Sequence, residues 1–335
     1  MIPEEIKKIL KKQHYEIVGK KGHSAVQICR WTKKSIKNEG VCYKEKFYGI
    51  QSHKCCQMTP CVMWCQNRCL HCWRAIELTL GNKFPEGDFD SPKEIIDGCI
   101  KAQRKLLQGF KILPTTKKRI SKADMKKWRE AQEPTQFAIS LAGEPTLYPK
   151  IGELIEELRR RKKTSFLVTN GLCPEKLKEL KRKKQLPTQL YISVNIPDKK
   201  LYNWFHRSSE KNAWEKLNES LKVMSEVKGK TRTVFRINLI RGINMSDEDA
   251  KKFAKLIIKA KPMFIELKGY MSVGFARKRL GYEKMPDEKE MIDFAKKLEK
   301  ELKKQKYKIL DFHKPSRAVV LGKSKKDLKI KRKEI

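Results

Sequence analysis

The residues best equipped for chemistry are crowded into positions 63–74, MWCQNRCLHCWR, which set Cys65, Cys69 and Cys72 at the spacing C-x3-C-x2-C directly after a short apolar run able to end a strand. Three thiolates on one tight loop can hold three irons of a cubane 4Fe-4S cluster, and the fourth iron is then open to a small chelating ligand. Zinc asks for four closing ligands, usually from C-x2-C pairs set at a distance, so the uneven spacing favours iron and sulfur. His71 sits inside the loop, but with Cys69 and Cys72 on either side it cannot easily turn onto the same metal.

A second set of cysteines comes earlier. Cys29, Cys42 and Cys55 are separated by 12 residues each time, in a stretch that also holds Trp31, Tyr43, Phe47 and Tyr48. Equal long spacings do not make a local loop, and buried thiols are common small apolar fillers. Cys56 and Cys61 crowd the same region, so a second three-cysteine cluster and an ordinary core both stay open. Cys99 falls on an apolar helix side with Ile95, Ile96 and Ile100 and reads as core.

Strand and helix patterns alternate from residue 54 onward, beginning with a strand that runs into the cysteine loop. Ser91 and Pro92 open a helix as N-cap and first residue, running to about 110. Residues 111–134 interrupt the alternation with a basic, Trp-bearing insertion that reads as a solvated connector or an RNA contact. Strands over 136–141, 165–169, 189–194, 232–240 and 263–267 follow, with helices over 149–161, 174–184, 213–227 and 246–259 between them. Their polar residues gather at strand C-termini: Gly143 and Glu144, then Thr169 and Asn170, then Ser193 and Asn195, with Asn238 inside its strand. This predicts an α/β fold, an incomplete (βα)6 TIM-like barrel whose loops at the strand C-termini carry the site. The expected division is an N-terminal extension over 1–53, the partial barrel over 54–275, and a C-terminal extension with a basic tail over 276–335. Within that extension a helix over 287–304 precedes edge strands at 306–312 and 317–321, and the charge run from Lys323 is expected to fray or to lie on RNA.

Seventy-eight Lys and Arg against 39 Asp and Glu give a net charge of +39, far beyond what solubility requires, and point to a polyanionic partner. A thermophile's solvated surface normally gains Glu alongside Lys, and here the acids do not keep pace. The N-terminus is a charged amphipathic helix without an apolar leader core, and no run of eighteen apolar residues occurs. A cytoplasmic, membrane-free protein with reduced cysteines is expected, and a monomer.

The cysteine spacing closely resembles that of the radical S-adenosylmethionine enzymes. That resemblance implies that the open iron chelates the amino and carboxylate groups of S-adenosylmethionine. Ala142-Gly143-Glu144-Pro145 looks like their Gly-Gly-Glu element with Ala in first place, offering close backbone approach and acceptors for the ammonium group. Thr169, Asn170, Ser193 and Asn195 suit ribose hydroxyls and the methionine carboxylate, and Asn238 either reaches the same ligand or satisfies nearby backbone.

The order of elements, with QSHKCCQMTPCVMWCQNRCLHCWR (51–74) and FIELKGYMSVGFARKRLGYEKMP (264–286), resembles more narrowly the tRNA 4-demethylwyosine synthases of the wybutosine pathway, over roughly 29–321. The resemblance implies radical condensation of pyruvate with 1-methylguanosine next to the anticodon of tRNA-Phe. It also implies a second 4Fe-4S cluster on Cys29, Cys42 and Cys55, whose free iron chelates pyruvate, and it matches Lys44 to a family lysine considered for a Schiff base with pyruvate. Lys44 could instead bind pyruvate or RNA phosphate. Eukaryotic members carry a flavodoxin-like donor domain; none fits here, so an external one-electron reductant, an electron-donor protein, is expected. Trp73 or Tyr270 could stack on the base or belong to the core. Two other readings compete: a different two-cluster radical tRNA modifier such as a methylthiotransferase, and a zinc-stabilised RNA-binding protein without turnover.

Overall fold

The computed structural model describes residues 2–87, 89–110 and 123–335. The chain divides into two compact units, the first comprising Met1–Val62, Phe84–Leu167 and Lys329–Ile335, the second Met63–Lys83 and Val168–Leu328.

In the first unit the basic helix α1 (Glu4–Lys12) buries Ile6 and Leu10. Strands β1 (Glu16–Val18) and β2 (Ser24–Gln27) pair antiparallel, and β2 pairs antiparallel with β3 (Cys55–Thr59). From there β3, β4 (Gln136–Ile139) and β5 (Thr164–Thr169) run parallel. All four residues of β4 are buried, the near-continuous apolar run of a sheet covered on both faces. Strand β2 stops at Gln27, and Cys29 takes the N-cap position of a short helix, α2 (Arg30–Ile36); Cys42 caps another, α3 (Tyr43–Tyr48), its sulfur accepting Lys44 N–H. Ser91 and Pro92 open α4 (Pro92–Leu107) as expected, with a full capping box closed by Glu94.

Residues 111–122 of the basic insertion lie outside the described residues, and the remainder is no loose connector. Helix α5 (Met125–Ala131) joins Ile28, Ile36, Leu107 and Ala123 in one apolar cluster, and the Trp128 indole N–H donates to Leu107 O (2.9 Å). Helix α6 (Ile151–Arg160) follows. The charged tail is not frayed either: the Lys329 ammonium donates to the carbonyls of Glu45 and Lys46, and Ile330 N–H to Tyr48 O (3.0 Å), which stitches it to α3.

The second unit continues the alternation. After α7 (Pro174–Arg182), parallel strands β6 (Gln189–Ser193), β7 (Arg232–Leu239) and β8 (Phe264–Gly269) are joined by α8 (Lys199–His206), α9 (Ala213–Glu226) and α10 (Asp247–Ala260). A short helix α11 (Ala276–Leu280) precedes α12 (Glu288–Glu301). The last strands, β9 (Lys308–His313) and β10 (Ala318–Gly322), add antiparallel beyond β8, with β10 inside and β9 outside. Ser246 and Asp287 close capping boxes on α10 and α12. Helix α8 is absent from the sequence reading. No described helix is long and apolar enough to cross a membrane.

Candidate active site

The cysteine loop of the second unit has almost no regular structure of its own, so neighbouring groups must hold it. Its base is pinned by Cys65 N–H on Gly81 O (2.9 Å) and Leu80 N–H on Met63 O (3.0 Å). Buried Arg74 reaches across the loop to Asn67 O (2.9 Å) and the Thr79 hydroxyl (3.0 Å). From α11, Arg279 donates to Leu70 O (3.1 Å), Arg74 O (3.2 Å) and Cys72 O. Gly274 brings that segment in: at φ +55 it lies so near Trp73 that an added Cβ would be 2.4 Å from the Trp73 carbonyl.

These ties gather the three thiols. Burial pushes the Cys69 thiol well up, and the charges of Cys65 and Cys72 push it further, against the pull of Arg74. Burial disfavours the Arg74 charge, yet Cys65, Cys72 and Cys69 together hold its guanidinium above the ordinary range. Three mutually repelling buried thiols ionise together only around a cationic core, which is what an iron-sulfur cluster offers. Buried polar atoms without hydrogen-bond partners among the described residues line the same loop: both side-chain polar atoms of Asn67 and His71 Nδ1. His71 does not face a ligand role; its ring stacks on Phe205 (5.2 Å between centroids), and burial, then Arg236 and Arg279, drop its pKa to about 4.

Of the sequence candidates in this unit, Asn170 lies at the loop, its side-chain N–H on Gln66 Oε1 (3.0 Å) and 3.8 Å from Cys65 Sγ. Thr169 Oγ1 accepts Gly171 N–H (3.1 Å). Asn195 is buried, and its Oδ1 accepts Asn238 N–H (3.1 Å), joining the ends of β6 and β7. Asn244, which sequence reasoning gave no role, completes that knot by donating to Asn195 O (2.6 Å) and Asn238 O (2.8 Å). Ser193 pairs in register with Arg236 on the adjacent strand. Trp73 is 41% exposed and open to stacking, whereas Tyr270 is buried with its hydroxyl on Ala276 O (3.1 Å) and belongs to the core.

In the first unit, Cys29, Cys42 and Cys55 each sit where an element begins. Thr32 donates to Ser52 O (3.0 Å) and Cys42 N–H to the Ser52 hydroxyl (2.8 Å), which draws the three segments together. The thiols feel one another: burial first and Cys29 next push Cys42 up, and burial raises Cys55 to about 12. The opposing cation at both is Lys44, 8% exposed, whose ammonium lies 5.1 Å over the Phe166 ring. Gly143 takes φ +75, and Glu144 is buried with its carboxylate on Thr146 N–H (3.1 Å) and hydroxyl (2.6 Å). Cys56 and Cys99 are buried together, as core thiols. Among the described residues no three His, Cys, Asp or Glu converge on a single metal ion; a cubane instead takes one thiol per iron.

A family model described as the radical SAM superfamily matches residues 60–254, and one described as wyosine base formation matches 259–323. The S-adenosyl-L-methionine-dependent tRNA 4-demethylwyosine synthase of Pyrococcus abyssi is 46% identical over 320 residues, covering 96% of this chain and 89% of its own length. The chain belongs to this synthase family. The Methanocaldococcus jannaschii member is 38% identical, covering 96% of both chains. A solved structure of TYW1 with a lysine-pyruvate adduct bound superposes with a TM-score of 0.81 at 36% identity over 99% of each chain. Membership makes this a radical S-adenosylmethionine enzyme with one 4Fe-4S cluster, and the expected α/β class of parallel strands alternating with helices is the fold of that superfamily.

Proposed function

We propose that the chain condenses pyruvate with 1-methylguanosine next to the anticodon of tRNA-Phe, forming 4-demethylwyosine. The observation that carries this is the second cysteine triad, Cys29, Cys42 and Cys55, gathered around a buried lysine in a chain that already holds Cys65, Cys69 and Cys72. In this reading each triad holds a 4Fe-4S cluster. When bound, the clusters supply the electron that splits S-adenosylmethionine and an iron that chelates an α-keto acid. An external electron donor is needed, and the protein acts as a monomer in the cytoplasm. Residues 1–53 bring Cys29 and Cys42 of the second triad, 54–275 bring Cys55 and the radical chemistry, and 276–335 are a closing extension.

Lys44 is the residue we assign to pyruvate. Its amine adds to the keto carbon and water leaves, giving an imine that fixes the substrate; the lysine-pyruvate adduct in the solved relative supports this over phosphate binding. Gly143, Glu144, Thr169, Asn170, Ser193, Asn195 and Asn238 bind S-adenosylmethionine. Among these, Asn170 has the most direct support, touching the loop itself. The target base leaves the anticodon stack to be reached, which costs a few kcal/mol and least in an unpaired loop.

Mass analysis of methylguanosine-bearing tRNA, after incubation with the reconstituted protein, dithionite, S-adenosylmethionine and pyruvate labelled at its keto and methyl carbons, the carboxylate carbon being lost in the condensation, tests the whole reading. Label within a tricyclic base is expected; unlabelled, unchanged methylguanosine alongside a full complement of iron would sink it.

A further inference from the structure

The C-terminal turn of α8 grips the cysteine loop. Arg68 N–H donates to His206 O (2.9 Å), Leu70 N–H to Phe205 O (3.1 Å) and Ser209 N–H to Gln66 O (2.9 Å). One helical turn and the third residue beyond it thus hold three backbone groups of a loop lacking regular structure. On that turn His206 is 3% exposed, its Nδ1 lies 3.0 Å from Cys69 Sγ, and its Nε2 is buried without a hydrogen-bond partner among the described residues. A thiol bound to iron has no proton, so Cys69 Sγ can only accept; Nδ1 must carry the hydrogen and Nε2 is the bare nitrogen. Hydrogen bonds to cluster sulfurs stabilise the more negative, reduced state and raise the reduction potential.

We infer that His206 is a positioning residue that sets the reduction potential of the cluster held by Cys65, Cys69 and Cys72, through an Nδ1–H to Sγ hydrogen bond at Cys69. The inference rests on that triad's being a cluster site. The backbone grip fixes the ring's height over the loop, so the bond does not depend on the side chain finding its own way.

The test is an electron-paramagnetic-resonance redox titration of the full chain, reconstituted without oxygen, following the signal that S-adenosylmethionine perturbs. His206→Phe fills the ring's volume without an N–H, and His206→Asn offers an amide N–H near the place of Nδ1. The midpoint is expected to fall in H206F, with the reduced-to-oxidised ratio at the wild-type midpoint dropping about fivefold, the scale of one ordinary hydrogen bond. H206N is expected to recover most of that shift at equal iron content. Equal midpoints in wild type and H206F would overturn the proposal, as would loss of iron in both variants, which would make the histidine a support needed to hold the cluster rather than a group that tunes its potential. Loss of iron in H206F alone, with a near-wild-type midpoint in H206N, would sustain it. A wild-type protein showing no signal that responds to S-adenosylmethionine would instead remove the cluster reading itself.

Discussion

Lys44 is one buried cation among seventy-eight basic residues, and what separates it from the rest is its company. It opposes the thiolate charge of both Cys42 and Cys55 with an aromatic ring at its flank. Lys44→Met keeps length and burial but removes the amine. Borohydride-trapped pyruvate should vanish from the chain and base formation should drop by about two orders of magnitude or more, with iron retained. Undiminished trapping in the variant would move the nucleophile elsewhere. A second residue, His23, is built to stay neutral: Nδ1–H donates to Pro60 O (2.7 Å) while Nε2 accepts Asp90 N–H (3.0 Å). Burial holds its pKa below the usual 6.5, outweighing the Pro60 carbonyl and the Asp90 carboxylate that favour the charge. The unfolded chain therefore takes up that proton first. The contribution to stability is full above about pH 6.5 and is lost as pH falls through the lowered value. Thermal midpoints between about pH 7.5 and 5.5 should fall more steeply in wild type than in His23→Gln; parallel slopes would show that the ring does not titrate on unfolding.

Elements whose ends carry their own chemistry were legible from the residues. Ser91 with Pro92 and Glu94, Ser246 with Asp249, and Asp287 with Glu290 each mark a helix start by local hydrogen bonding, and all three capping boxes form. Ser91→Ala should cost about 1 kcal/mol in urea unfolding, and a cost near zero would mean that α4 is held by packing alone. Helices α2, α3 and α8 were not legible. They are 7, 6 and 8 residues long, too short for a periodic pattern, and in α8 the aromatics of LYNWFH have middling helix propensity. Asp198 does cap α8 by accepting Leu201 N–H (2.9 Å), a signal that could have been found. The cysteine loop was plain from its spacing, but Arg74, Arg279 and His206, which hold it, were not, because two of them come from distant sequence and all act by geometry. Phe205 shows what that support does: its ring stacks on His71 and its carbonyl holds Leu70. Phe205→Ala should cost about 3–5 kcal/mol locally and, under equal reconstitution, lower the iron content by about four, the complement of one cluster. Full iron content in that variant would show that the loop needs no clamp.

For the whole molecule the dominant quantity is charge. Many acids are already engaged at short range: Glu175 and Glu219 share Lys178, Glu179 bridges Lys176 and Lys183, and Glu157 bridges Arg160 and Arg161. Surface pairs of this kind, exposed or half-buried, add little stability, so they do not explain the composition. They neutralise acids in place, and the chain's net charge of +39 stays uncompensated. A surplus of that size repels itself unless a polyanion is near, and tRNA offers a phosphate at every nucleotide. Binding that neutralises Z phosphates must release counterions, so the affinity for methylguanosine-bearing tRNA should fall with salt at a slope of about −0.7Z to −0.9Z on logarithmic axes. Six contacts would weaken binding by about a thousandfold between 50 and 200 mM salt. Base formation at saturating tRNA should change far less, because Lys44 and the loop that Arg74 and Arg279 brace lie in buried surroundings where salt screens poorly. A flat salt response of the binding constant would mean that the charge serves something other than RNA.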